Sequence, residues 1–381
     1  MKKTIIAVSL VTLLAACGGS GKKDDTPTPT PDSGKFSYKA QDMIVNLTDD
    51  VIVAGYSNLA MKGSELFQLT ETLQATPNAE NWKKVQDAWK AARQPWEQGE
   101  SHIFGPIEAL EIDPHLDSWP LNTVDLKKQL DGNASFDAKT IKTWEDGVQG
   151  FHAMEYLLFG DGKDDNEKAF SEATPREIEY LKALAEVLRD YTSDLEKAWK
   201  DKFKDANGET PYAERLKNVS SSPTYSSQVG VIEELVQGMA GIAKEVGEAK
   251  IAEPFGGSID NVDTSKVESQ YSWNSLIDFA NNIKGVKNVW EGEFAGSKDK
   301  PGIVDFVKAG DSALADKVTK QINDSITNIE KIAGNNNMPF RQAIKDVEGR
   351  KRVKTAVDSL AALKASLEND VVPLIKKWDA K

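Results

Sequence analysis

One cysteine, Cys17, and three histidines are all that 381 residues contain of the two strongest metal-binding side chains. A single thiol excludes an intramolecular disulfide and a thiolate-rich zinc site, so stability has to come from a buried core. The zinc-protease motif His-Glu-x-x-His is missing. So are a phosphate-cradling glycine loop, a nucleophile elbow and a dinucleotide fingerprint in a strand-to-helix setting, which removes the common cofactor classes. Alternating apolar and polar stretches bounded by hairpin turns are not found after Phe36, which argues against a β architecture. Positive charge is in deficit: 47 Lys and Arg against 60 Asp and Glu leave a formal charge of -13 and no basic stripe. Nucleic acid is therefore not an expected partner.

What is present begins with a targeting segment. Lys2-Lys3 precede an apolar run over residues 5–16, the form of a secretory signal and too short for a permanent membrane span. The run ends in Leu14-Ala15-Ala16-Cys17-Gly18, which resembles the bacterial lipobox and makes Cys17 the expected lipidation site and mature N-terminus; the alternative is an ordinary signal peptide with a chance cysteine. Residues 1–17 are thus read as a lipoprotein signal peptide. Residues 18–34, centred on Thr26-Pro27-Thr28-Pro29-Thr30-Pro31, are read as a disordered tether. The expected location is the cell envelope, on the periplasmic or outer face of the outer membrane, with the acyl chain on Cys17 as the membrane contact.

Beyond the tether, apolar residues recur at three and four, and an apolar fraction of 39% suffices for one large or two ordinary domains. The expected fold is all-α: two helical-bundle domains side by side, 35–205 and 206–381, with a shared interface site. Thr76-Pro77 and Thr174-Pro175 each offer an N-cap hydroxyl followed by proline, and Glu177 completes a capping box with Thr174. Further helices are expected around 38–74, 140–159, 224–248, 272–290, 311–333 and 339–378. The turn-rich stretch 204–224 is the expected connection between the halves.

The scarce histidines direct attention to Gly150-Phe151-His152-Ala153-Met154-Glu155. On a helix His152 and Glu155 share one face with Val148, Phe151 and Leu158, so an imidazole and a carboxylate interrupt an apolar stripe. A buried carboxylate needs a cation, a hydrogen-bond network or a metal. Gly150 leaves room for a close neighbour. The plain alternative is a pair satisfied inside the core that fixes helix register. A second stripe, Trp82, Trp89, Arg93, Trp96 and Glu100, places an arginine and a glutamate on a tryptophan-rich face; Arg93 either belongs to a site or snorkels to solvent. Pro95, in its middle, predicts a kink or break.

Gly150, His152 and Glu155 meet the Gly-x-His-x-x-Glu mark of the imelysin-like family, which the sequence resembles. Trp89-Lys90-Ala91-Ala92-Arg93 through Glu100, Ser118-Trp119-Pro120-Leu121 and the stretch from Tyr271 to Trp290 are similar to further regions of that family in the same order. The resemblance implies extracytoplasmic two-bundle proteins associated with bacterial iron uptake, with a historical peptidase label. It implies His152 and Glu155 as the centre and Arg93, Glu100, Trp119, Asp278 and Gly150 as neighbours. The leading expectation is a pocket in which His152, Glu155 and Glu100 hold iron, another divalent ion such as zinc, or an iron-bearing ligand for transfer to an iron-uptake transporter. Two alternatives stand beside it: a zinc metallopeptidase with His152 and Glu155 as ligands, and a metal-free interaction module. Whether the chain is an enzyme is left open.

Overall fold

Helices form where the apolar spacing requires them and end where capping side chains compete for the backbone. The computed structural model describes residues 35–379 except 207, 295 and 298; Cys17, the signal segment and the 18–34 tether lie outside the described residues. In the first half the principal helices are α1 (Ala54–Ala75), α2 (Ala79–Gly99), α3 (Gly150–Phe159) and α4 (Pro175–Lys200). The second half contributes α5 (Gln228–Glu245), α6 (Ser275–Glu291), α7 (Ser312–Glu330) and α8 (Val347–Ser366). Among the described residues the fold is all-α apart from an isolated bridge between Phe36 and Trp378 and a two-stranded antiparallel hairpin, Phe203–Asp205 with Gly208–Thr210, inside the stretch read as a connection. Arg215 closes that hairpin from below through Asp205 at 2.7 Å.

α4 starts at the expected capping box, with Thr174 accepting from the Glu177 N–H and Glu177 from the Thr174 N–H. α2 does not start at Thr76-Pro77. Thr76 closes α1, and Asn78 caps α2 by accepting the Asn81 N–H at 2.9 Å. Nor does Pro95 break α2, which runs through it to Gly99. The segments expected as single helices at 140–159 and 339–378 are interrupted, the second where the Asp346 carboxylate caps α8 at the Gly349 N–H. Three π-helical turns, Leu47–Val53, Val246–Ala252 and Leu367–Val371, extend the neighbouring α-helices. Each loops out one residue more than an α-helix holds, a feature frequent at functional sites.

α1 packs between α2 and α4, with α3 laid on α2 and α4; in the second half α6 packs on α7, and α8 on α5 and α7. The two groups meet along α2 and α6, and where α5 crosses the Glu100–His102 turn. A Cβ on Gly285 would lie 2.2 Å from the Gln98 carbonyl oxygen, so α6 touches the α2 backbone there and only glycine fits. Trp89, Trp96, Trp199 and Trp290 are fully buried, so the tryptophan-rich stripe is largely core. Among the described residues no helix is long and apolar enough to cross a membrane.

Candidate metal centre

The meeting line of α2 and α6 carries amide contacts of Gln98 with Asn281 and Asn288 and, at one place, a cluster of charges. Arg93 and Glu97 lie four apart on the inner face of α2 and Glu100 opens the 3-10 turn that follows it, so three charges enter the joint together. Arg93 is 0% exposed and does not reach solvent. Its guanidinium contacts Glu97 and Asp117 from the first half, Glu268 at 2.9 Å and Asp278 at 3.3 Å from the second. Burial works against its charge, but four carboxylates hold the pKa well above the ordinary value. Lys250, from the π turn after α5, adds a second buried cation, 2.8 Å from Glu100, 3.2 Å from Glu268 and 3.4 Å from Glu97.

α3 delivers His152 and Glu155 from the other side. Gly150 opens the helix with φ +73°, and a Cβ there would sit 2.3 Å from the Leu116 carbonyl oxygen, so only glycine lets α3 approach the Ile112–Asp117 helix this closely. His152 Nδ1 lies 3.1 Å from Glu155 Oε2. Glu155 Oε1 accepts from the Tyr271 N–H at 3.0 Å, the Ser272 N–H at 2.8 Å and the Ser272 hydroxyl at 2.7 Å. Glu155 is therefore saturated: it ties α3 to the second-half loop and fixes the imidazole, leaving Nε2 to face inward. A carboxylate can only accept, so Nδ1 carries a proton and Nε2 is the ring's free position.

Nε2 has no hydrogen-bond partner although it is buried. It lies 3.2 Å from Asp117 Oδ1, near enough for attraction but not in hydrogen-bonding geometry. His152, Asp117 and Glu268 each bring one donor atom within 4.8 Å of the others, the spacing of a metal triad. Glu100, expected with His152, instead accepts from Lys250 and from the Asn282 amide. Glu155 adjoins His152 but spends Oε1 on Tyr271 and Ser272 and Oε2 on the Nδ1 of His152, away from the inward-facing Nε2. Asp278 is held by Arg93, the Ser269 hydroxyl at 2.6 Å and the Asn274 amide at 2.7 Å. Trp119 lies edge-on to His152 with ring centres 4.7 Å apart, and its Nε1–H donates to the Lys266 carbonyl at 3.0 Å, so it spans the joint.

The buried carboxyl groups of Glu97, Glu100, Glu155, Glu268 and Asp278, with the half-buried Asp117, thus face two permanent cations, Arg93 and Lys250, besides His152. The imbalance appears in their protonation. Burial pushes Asp278 up to about 8 against the opposing pull of Arg93, and raises Glu268 and, strongly, Glu100. Burial would also raise Asp117, but Arg93 and His152 hold it well below the carboxylate range. Burial would lower His152; the Asp117 and Glu155 carboxylates outweigh it and bring the imidazole to about 9, so at neutral pH Nε2 carries a second proton that a metal ion would have to displace. A cavity of about 330 Å³ opens onto this cluster, walled by Asp113, Asp117, Trp119, Glu253, Lys250 and Glu268. Asp117 and Glu268 both lie in loops or at a helix end, where periodicity carries no signal. Asp117's position immediately before Ser118-Trp119-Pro120 was the one available hint.

The family model for imelysin (peptidase M75) matches residues 52–367. Iron-regulated protein A of Synechococcus elongatus is 28% identical over 344 residues, covering 89% of each chain. A candidate iron-regulated protein A precursor from Parabacteroides distasonis has a similar crystal structure, with a TM-score of 0.76, 28% identity and coverage of 93% of this chain and 97% of that one. An imelysin-like protein from Psychrobacter arcticum shares the fold at 14% identity, with a TM-score of 0.70 over 90% of this chain and 98% of that one.

Proposed function

As the chain belongs to the imelysin family, we propose that it is a lipid-anchored envelope protein that binds an iron-type divalent cation between Asp117, His152 and Glu268, in support of iron uptake. An iron-linked role suits the family and the names of its iron-regulated relatives. The observation that carries the metal is the buried Nε2 of His152, without a well-formed hydrogen bond and facing the carboxylates of Asp117 and Glu268 in a cluster with excess negative charge. An unpaired buried charge costs several kcal/mol, and a divalent cation offsets that cost without protonating the carboxyls. One imidazole with two carboxylates suits iron, manganese or zinc better than copper or calcium.

The same charge argues for an ion rather than an anionic chelate. An acid-walled cavity of about 330 Å³ repels catecholate or carboxylate groups, and it lies at the small end of organic-ligand pockets. The lipid on Cys17 would keep the ion site beside a membrane, where an iron-uptake transporter could receive the cargo. A hydrolytic role would need a carboxylate free to take a proton from water; Asp117 and Glu268 are both engaged by Arg93.

The decisive experiment is elemental analysis and anaerobic titration of tag-free protein with Fe(II), Mn(II) and Zn(II). Wild type should bind, whereas His152→Ala and Asp117→Asn should not. Equal binding by these variants would remove the site, and chelator-sensitive proteolysis lost in His152→Ala would favour the peptidase. Acylation is tested separately by palmitate labelling and membrane fractionation of Cys17→Ser, which should be unlabelled and released.

A further inference from the structure

We infer that Lys250 occupies the second of two cation subsites that share Glu268, and that its ammonium limits the centre to one metal ion. The inference rests on the metal-binding reading above. The first subsite is the Asp117, His152 and Glu268 triad. The second is formed by Glu97, Glu100 and Glu268 around Lys250 Nζ, which lies 2.8 Å from Glu100 Oε2, 3.4 Å from Glu97 Oε2 and 3.3 and 3.2 Å from the two oxygens of Glu268. Glu268 therefore faces both positions, as a bridging carboxylate does between paired metals.

Three observations separate this from an ordinary buried ion pair. A lysine needs one carboxylate to be neutralised, and here three converge on it. Asn282 closes the subsite by donating to Glu97 Oε2 at 2.6 Å and to Glu100, while its own Oδ1 is buried without a partner, so a polar group is left unsatisfied at this spot. Lys250, Glu100 and Glu268 also line the cavity, so the subsite borders a space from which an ion can approach. Three carboxylates are the oxygen-rich surroundings that hard divalent cations take. Lys250 supplies one positive charge there permanently, and it competes with the first subsite for the electrons of Glu268. A carrier that must give up its ion gains from such a tethered competitor, because it weakens the hold on the cargo.

The test compares wild type, Lys250→Ala, Lys250→Met and Lys250→Arg in anaerobic Mn(II) and Fe(II) calorimetry, with metal-to-protein ratios measured after gel filtration. Wild type and Lys250→Arg should each take one ion. Lys250→Ala should take two, or bind the first at least tenfold more tightly. Lys250→Met keeps the bulk of the stem and removes only the charge, so it should also bind the first ion at least tenfold more tightly; it serves if circular dichroism shows that Lys250→Ala does not fold. One ion of unchanged affinity in both neutral variants, or two ions in wild type, overturns the role of Lys250 and leaves the metal site standing. No binding in wild type overturns the metal site itself.

Discussion

Replacing Glu155 by glutamine separates a metal ligand from a residue that aims one. In the folded protein Oε1 takes three donors from Tyr271 and Ser272, while Oε2 holds His152 Nδ1. If the glutamine oxygen keeps the three donors, its NH₂ points at Nδ1. Nδ1 must then accept, and the ring proton moves to Nε2, where it blocks the lone pair that a metal needs. If the amide turns over, two backbone N–H groups lose their acceptor at a cost of about 1–3 kcal/mol each. Either outcome weakens binding by about 10–100-fold, the usual penalty for losing the group that orients a ligating histidine. The assay is Mn(II) calorimetry on Glu155→Gln beside His152→Ala, with selective ¹⁵N-histidine labelling to read the tautomer; only three histidines make the spectrum assignable. An affinity within twofold of wild type would refute the orienting role. A loss as complete as that of His152→Ala would make Glu155 a ligand itself.

Arg93→Met leaves Glu97, Asp117, Glu268 and Asp278 without their shared cation; breaking a buried pair costs about 3–5 kcal/mol, so urea unfolding should show at least that loss at pH 8, and less than 1 kcal/mol would contradict the network. The loss should shrink near pH 5, where the orphaned carboxyls can protonate. Burial lowers His102, which contacts the Tyr56 hydroxyl, to about 4. The folded state then binds fewer protons than the unfolded one, so this group's stabilisation is complete above pH 6.5 and is lost as pH falls towards 4, about 3 kcal/mol in all. His102→Gln should flatten that acid limb, and superimposable pH–stability curves would exclude His102 as its cause. Trp119→Ala removes the ring beside His152 and the bridge to Lys266; metal release in stopped-flow chelation should quicken several-fold, and an unchanged rate would detach Trp119 from the site.

Local chemistry that acts within a few residues was readable from the sequence. Thr174 and Glu177 cap α4 because both partners lie within one turn, and His152 and Glu155 meet because they are three apart on α3. The all-α class followed from the apolar spacing. Long-range partners were not readable. Glu155 finds its donors at Tyr271 and Ser272, more than a hundred residues away, and nothing in the Gly-x-His-x-x-Glu segment distinguishes a carboxylate that ligates from one that orients. Asp117 and Glu268 carry no periodic signature. Arg93 was ambiguous because a stripe position says that a side chain faces inward but not how many carboxylates await it. Thr76-Pro77 misled because Asn78, a competing cap, stood one residue beyond.

The π turn at Val246–Ala252 carries a consequence for heredity. A single-codon deletion within it would let the helix close into regular α geometry with its flanking residues near their places, and the residues of the turn itself would shift around the axis. Lys250 reaches the carboxylates from inside this turn. Length in this segment is therefore a functional trait, and homologues aligned without regard for it would pair Lys250 with a residue on another face. Substitution scans would miss this sensitivity, whereas a one-residue deletion series across the turn would expose it.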